Sequence, residues 1–190
     1  MDTTHSPSPV VSEAKVGIPC LIPAPRIAER VAELAREISR DYAEDSPVVV
    51  GVLQGAFVFM ADLLRRLTIP VQCDFVKISS YGDETTTSGT VKLHLDLTGS
   101  IEGKRILLVD DIVDTGISTS WLIDHLRRRD PAGVRLCALL DKPARRRAPV
   151  EIDYVGFEIP DRFVVGYGID WAGRYRELPY VGYVPPDQQS

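Results

Sequence analysis

Apolar residues recur along this chain in two rhythms, and each rhythm predicts an element. Ile27, Val31, Leu34, Ala35 and Ile38 fall at helical spacing with Glu29, Arg30, Glu33, Arg36 and Glu37 between them. This predicts a helix over about 26–42, which Pro25 is suited to open. Val48 to Leu53 is a run rich in β-branched residues and reads as a buried strand. Gln54-Gly55 turns the chain, and a second helix is expected from Phe57 to Leu67, with Phe59, Met60, Leu63, Leu64 and Leu67 facing inward. Val71 to Ser79 is the next strand. In Val91, Leu93, Leu95 and Leu97 the apolar positions alternate with polar ones, as in a strand with one wet face. Ile106 to Val109 is apolar throughout and reads as a strand covered on both faces. A third helical pattern follows from about Ser118 to Arg129, with Trp121, Leu122, His125 and Leu126 inward, and then the buried strand Val134 to Leu140.

Strand and helix therefore alternate from Pro47 to Leu140. That order predicts an α/β fold: a mostly parallel sheet, flanked by helices on both faces and joined by right-handed crossovers. Two regions fall outside the alternation. Gly17 to Leu21 reads as a short strand, and 150–184 holds three short strands with turns, at Val155 to Pro160, Phe163 to Tyr167 and Tyr180 to Val184. They are expected to form a small cap, from about 16–25 and 150–184, on a single domain spanning 16–184. Residues 1–15, rich in Ser, Pro and Thr, are expected to be a disordered tail, and 185–190 a second tail.

Composition narrows the classes. A chain of 190 residues with 44% hydrophobic content suits one domain with a sizeable core. A net charge of −5 argues against a general nucleic-acid binder. No apolar run approaches a membrane span, and Met1 to Lys15 lacks the basic-then-apolar order of a secretory leader, so a cytoplasmic location is expected. Cys20, Cys73 and Cys137 stand singly in apolar surroundings, which fits a reducing compartment. The scattered His5, His94 and His125 give no zinc pattern.

The chemistry gathers around Arg105 to Thr119. The apolar run ends in Asp110 and Asp111, a third acid follows at Asp114, and Thr115-Gly116-Ile117-Ser118-Thr119 leads into the helix. In an open parallel sheet, ligands bind at such strand ends. Backbone N–H groups and hydroxyls at a helix start make an anion site, and carboxylates beside a phosphate call for Mg²⁺ between them. The same loop also suits an ordinary strand-to-helix turn in which Ser118 is only an N-cap. The polar, glycine-flanked stretch Ser80 to Gly89 reads either as a lid or as a hairpin connection. Arg145 to Arg147 reads as a solvated charged face.

The order strand, Asp-Asp, two apolar residues, Asp-Thr-Gly resembles the diphosphoribose signature of the type I phosphoribosyltransferases. Asp at the third acidic place resembles their hypoxanthine-guanine branch. Leu53-Gln54-Gly55, Ser80-Tyr81-Gly82, Asp141-Lys142-Pro143, the run Gly156 to Tyr167, and Asp170 followed by Arg174 to Leu178 match further segments of that branch in order. The resemblance covers Ile18 to Val184. It implies the type I phosphoribosyltransferase fold and a purine salvage reaction. In that reaction 5-phosphoribosyl 1-diphosphate and hypoxanthine or guanine give IMP or GMP and pyrophosphate, with Mg²⁺ as cofactor.

The resemblance also implies roles. Asp114 is the general base, or acceptor, at purine N7, and Asp114, Thr115, Gly116, Ile117 and Ser118 hold the 5′-phosphate. Asp110 and Asp111 serve the ribose and the metal, with Asp170 as a second metal ligand and purine neighbour. Lys142 donates to O6, Phe163 stacks on the base and Val164 reads its edge. Arg176 and the Gln54-Gly55 backbone receive pyrophosphate, and Ser80 and Tyr81 begin the lid. Many relatives have Lys where this chain has Gln54, so a positive charge is missing there; in the family this peptide can be cis. The partners implied are substrates and nucleotide product, with no nucleic acid and no membrane, in a homodimer or homotetramer. A rival reading, a phosphoribosyl diphosphate sensor that binds nucleic acid, draws only on the Arg127 to Arg129 and Arg145 to Arg147 clusters.

Overall fold

The computed structural model describes residues 17–81 and 90–188. In chain order its elements are β1 (Cys20–Ile22), α1 (Ala24–Asp41), β2 (Val48–Leu53), α2 (Phe57–Leu64), β3 (Gln72–Tyr81), β4 (Thr90–Leu95), β5 (Arg105–Val113), α3 (Ile117–Arg127), β6 (Gly133–Asp141), β7 (Tyr154–Glu158), β8 (Val164–Val165) and β9 (Val181–Tyr183). The main sheet has the order β4-β3-β2-β5-β6-β7. Its pairings are parallel except β3 with β4.

Central β5 shows why a continuous apolar run is needed. Ile106, Leu107, Leu108 and Val109 are all fully buried, and they divide by alternation between two cores. Leu107 and Val109 meet Val31, Leu34 and Ile38 of α1 and Phe59, Met60 and Leu63 of α2. Ile106 and Leu108 meet Leu122 and Leu126 of α3. Each such side chain is worth roughly 1.5–3 kcal/mol on burial, so this strand anchors both layers. The ends of β5 and β6, where the polar motifs lie, are thereby held on a rigid base.

The cap is smaller than the sequence pattern suggests. Val155 to Pro160 was expected in it, yet β7 pairs in parallel with β6, Cys137 opposite Tyr154 and Leu140 opposite Phe157, as the edge of the main sheet. The second sheet has the order β1-β9-β8 and is antiparallel. Ile18, Val165, Leu178, Tyr180 and Val184 form its core, and Tyr180 Oη donates to the Ile18 carbonyl at 3.0 Å.

Two inward assignments also change. Against β4, Lys77 faces Leu95 and Ile78 faces Leu93, so one step of β3 matches two of β4. This irregularity breaks the alternation and leaves Leu95 43% exposed, while Val91 and Leu97 stay buried. His125 is only partly covered: its ring stacks on Trp121 with centroids 5.3 Å apart, and its Nε2 lies 3.1 Å from Asp96 Oδ2. The expected tail 1–15 and the segment Gly82 to Gly89 lie outside the described residues. Among the described residues, no helix is long and apolar enough to cross a membrane.

Candidate active site

β5 runs through the acids to Val113 instead of ending before them. Because neighbouring residues in a strand point to opposite faces, Asp110 and Asp111 part company. Asp110 turns inward, is 6% exposed, and accepts a hydrogen bond from Thr119 Oγ1 of α3 at 3.2 Å. Burial, and then the adjoining Asp111 carboxylate, push Asp110 well above the usual carboxylate range. Burial also pushes Asp111 up. Asp111 lies against Gly55, where any Cβ would run into its carboxylate. Two adjoining, poorly solvated carboxylates gain from a hard cation. Among the described residues there is no cluster of three or more His, Cys, Asp or Glu that would cage one. That donor set fits Mg²⁺, which takes one or two protein carboxylates and fills its remaining places with water and substrate phosphate.

The loop Asp114 to Ser118 opens α3. Gly116 occupies the N-cap place with φ of 78° and no side chain caps the helix, so Ser118 is not an N-cap: it lies inside the first turn. Thr115 Oγ1 accepts from Ile117 N at 3.4 Å. Behind the loop runs the segment 145–150. A Cβ on Gly116 would come within 2.7 Å of the Ala148 carbonyl oxygen and 2.9 Å of Arg146 Cδ, so no other residue fits here without displacement.

Beside the loop opens a cavity of about 870 Å³ whose walls include Asp114, Lys142, Phe163, Val164 and Asp170. Lys142 follows β6 and its side chain is only 5% exposed, unlike most lysines at a strand end. Its Nζ lies 3.3 Å from Asp114 Oδ2, 3.1 Å from the Arg162 carbonyl oxygen and 3.5 Å from Asp161 Oδ1. The other oxygen of Asp114, Oδ1, is buried without a hydrogen-bond partner among the described residues. Phe163 is 43% exposed at the cavity and meets Trp171 edge to face at 6.4 Å. Val164 is buried in β8.

The remaining expected residues sit around this centre. Asp170 Oδ1 pairs with Arg176 Nη2 at 2.6 Å, and its Oδ2 accepts from Gly173 N at 2.8 Å. Arg176 Nη1 also donates to the Gly168 carbonyl at 2.6 Å, so its guanidinium is engaged within this loop. The Leu53–Gln54 peptide is cis. Ser80 and Tyr81 end β3 opposite Val91 and Thr90.

Three features escaped the sequence pattern. Arg146 belongs to a run read as a solvated face, yet its side chain is 20% exposed and bonded to the ends of β5 and β6. Three arginines in a row carry no period that separates one from the others. Asp161, beside the ammonium of Lys142, is one polar residue in a turn. Pro185 and Pro186, expected in a tail, line the cavity instead. Beside them Tyr183 is held by the Arg162 guanidinium 4.2 Å above its ring.

A family model described as "Phosphoribosyl transferase domain" matches residues 21–171. A hypoxanthine-guanine phosphoribosyltransferase of Bacillus subtilis is 47% identical over 145 residues, 76% of this chain and 81% of that protein. The bifunctional protein TilS/HprT of Listeria innocua is 49% identical over 78% of this chain, but the chain spans only 23% of its length. A crystal structure of a hypoxanthine phosphoribosyltransferase from Staphylococcus aureus superposes with a TM-score of 0.90 at 37% identity, covering 96% of this chain and 100% of that one.

Proposed function

The chain belongs to the phosphoribosyl transferase family, among its hypoxanthine-guanine phosphoribosyltransferases, and from this we infer a purine salvage enzyme that joins hypoxanthine or guanine to 5-phosphoribosyl 1-diphosphate. The observation that carries the substrate assignment is the pair Lys142 and Asp114. A buried ammonium donor and a carboxylate acceptor stand 3.3 Å apart on the cavity wall. A 6-oxopurine presents the complementary pair on one edge, an acceptor at O6 and a donor at N7. Adenine would turn an amino donor toward the ammonium and is disfavoured.

The residues then divide the work. The Asp114 to Ser118 loop receives the 5-phosphate through backbone N–H groups and hydroxyls at the start of α3. Phe163 stacks on the base, Val164 meets its edge, and Lys142 fixes O6. As N9 attacks the ribosyl C1 and the bond from C1 to pyrophosphate breaks, the N7 proton passes to Asp114. Asp114 is placed for this because Oδ1 has no competing partner among the described residues. Asp110 orients the end of β5 through Thr119, and Asp111 faces the Gln54-Gly55 turn on the pyrophosphate side. Asp110 and Asp111 would hold Mg²⁺ together with the substrate, with Asp170 as a second ligand on the pyrophosphate side, and the ion would spread the charge of the departing pyrophosphate. Arg176 reaches the pyrophosphate from its place on Asp170. The family supports a homodimer or homotetramer.

The test is a steady-state assay of nucleotide formation with hypoxanthine, guanine, xanthine or adenine, each with 5-phosphoribosyl 1-diphosphate and Mg²⁺. Hypoxanthine or guanine should be converted and adenine should not. Failure with both 6-oxopurines overturns the reading.

A further inference from the structure

We propose that Arg146 is a positioning residue that orients the backbone of the phosphate loop from behind. The guanidinium reaches four acceptors at once. Nε donates to the Asp114 carbonyl at 3.1 Å, Nη2 to the Val113 carbonyl at 3.2 Å and to Asp141 Oδ1, and Nη1 to the Val150 carbonyl at 3.5 Å. The next two residues continue the pattern, for Arg147 N and Ala148 N both donate to the Thr115 carbonyl, at 2.8 and 3.0 Å. Carbonyls 113, 114 and 115 are thus all drawn to the same side.

The consequence lies on the other side of the same peptide planes. In a planar trans peptide, the carbonyl of one residue and the N–H of the next point in opposite directions. Cis bonds among the described residues are confined to Leu53–Gln54. Carbonyl 114 is drawn back by Arg146, carbonyl 113 by Arg146 and Lys142 N together, and carbonyl 115 by Arg147 N and Ala148 N, and this turns the N–H groups of Asp114, Thr115 and Gly116 away from that side, toward the open mouth of the loop. Those are donors the 5-phosphate needs. Arg146 touches no substrate; it sets the direction of the groups that do. Its bond to Asp141, one residue before Lys142, ties the same guanidinium to the strand that presents the O6 donor.

This inference rests on the loop being the phosphate site, so the experiment separates the two claims. Binding of inosine 5′-monophosphate and of inosine is measured by calorimetry with Mg²⁺, for the wild type, Arg146→Lys and Arg146→Met. If the wild type shows no preference for the nucleotide, the phosphate-loop reading fails, and the inference with it. With that preference present, Arg146→Lys keeps the charge but loses the planar fork. Nucleotide affinity should then fall by about tenfold, the scale of one charge-assisted hydrogen bond, while inosine affinity is unchanged. Arg146→Met should lose more, again for the nucleotide alone, and in turnover the KM for phosphoribosyl diphosphate should rise while that for hypoxanthine holds. Unchanged nucleotide affinity, or equal losses for nucleotide and nucleoside, overturns the proposal. So does failure of both variants to fold, because Arg146 would then serve the fold and not the loop.

Discussion

Replacing Asp114 by Asn isolates the proton-accepting step from the binding steps. The substitution keeps the side chain's size, and the amide oxygen can still accept from Lys142 Nζ, now 3.3 Å from Asp114 Oδ2. Lys142 also keeps Asp161 at 3.5 Å and the Arg162 carbonyl at 3.1 Å, and Arg145, 3.7 Å from the same Asp114 oxygen, is half exposed to water, so no buried cation is left uncompensated. Stability should therefore change little. What is lost is a basic oxygen at purine N7. General acid–base catalysis contributes ~10²–10⁴ in rate, which corresponds to roughly 3–5 kcal/mol of barrier. We expect kcat to fall on that order in single-turnover experiments. Affinity for 5-phosphoribosyl 1-diphosphate, measured by calorimetry on the same protein, should hold or tighten, because one negative charge near the 5-phosphate has gone. A kcat within about threefold of wild type lies below the range for proton transfer and would show that Asp114 only shapes the loop.

Other outcomes follow from the same geometry. Lys142→Ala should raise the KM for hypoxanthine or guanine by about 10-fold or more, the scale of a hydrogen bond to a charged group, with little effect on that for phosphoribosyl diphosphate; equal losses would make the lysine structural. Gly116→Ala places a Cβ 2.7 Å from the Ala148 carbonyl oxygen at φ of 78°. It should cost at least ~1–2 kcal/mol in stability, seen as a lowered Tm, and should weaken nucleotide binding. EDTA should abolish turnover and Mg²⁺ restore it; full activity in chelator contradicts a metal role for Asp110, Asp111 and Asp170.

What was legible in the sequence was whatever local pattern decides. Val48 to Leu53 and Ile106 to Val109 had to be strands covered on both faces, because runs so apolar have no wet side to offer. The acid-and-glycine loop was legible because strand, carboxylates, glycine and hydroxyls stand next to one another. What stayed hidden depends on distant partners. Tyr154 to Glu158 is short and broken by Gly156, and only its pairing with β6 makes it part of the main sheet. Leu95 alternates correctly, yet an irregularity opposite Lys77 and Ile78 turns it outward. Lys142 and Arg146 look like surface cations until carbonyls and carboxylates from other segments surround them.

The cap has a bearing on how substrate choice can change over evolutionary time. Handling of the 5-phosphate belongs to the end of β5, the loop after it and the buttress at 145–150, all fixed to the central sheet. The wall that meets the base has two parts: Lys142 and Asp114, at the ends of main-sheet strands, face O6 and N7, while Phe163, Val164, Asp170, Tyr183 and Pro185 come late in the chain, on or beside the antiparallel cap. A substitution in that late stretch can reshape the base pocket without disturbing the strand that carries the acids. The fold therefore keeps the pair that tells oxo from amino purines beside the phosphate loop and the stacking face and rim of the cavity on the other sheet, so a finer preference among 6-oxopurines can be acquired by altering one while the other stays intact.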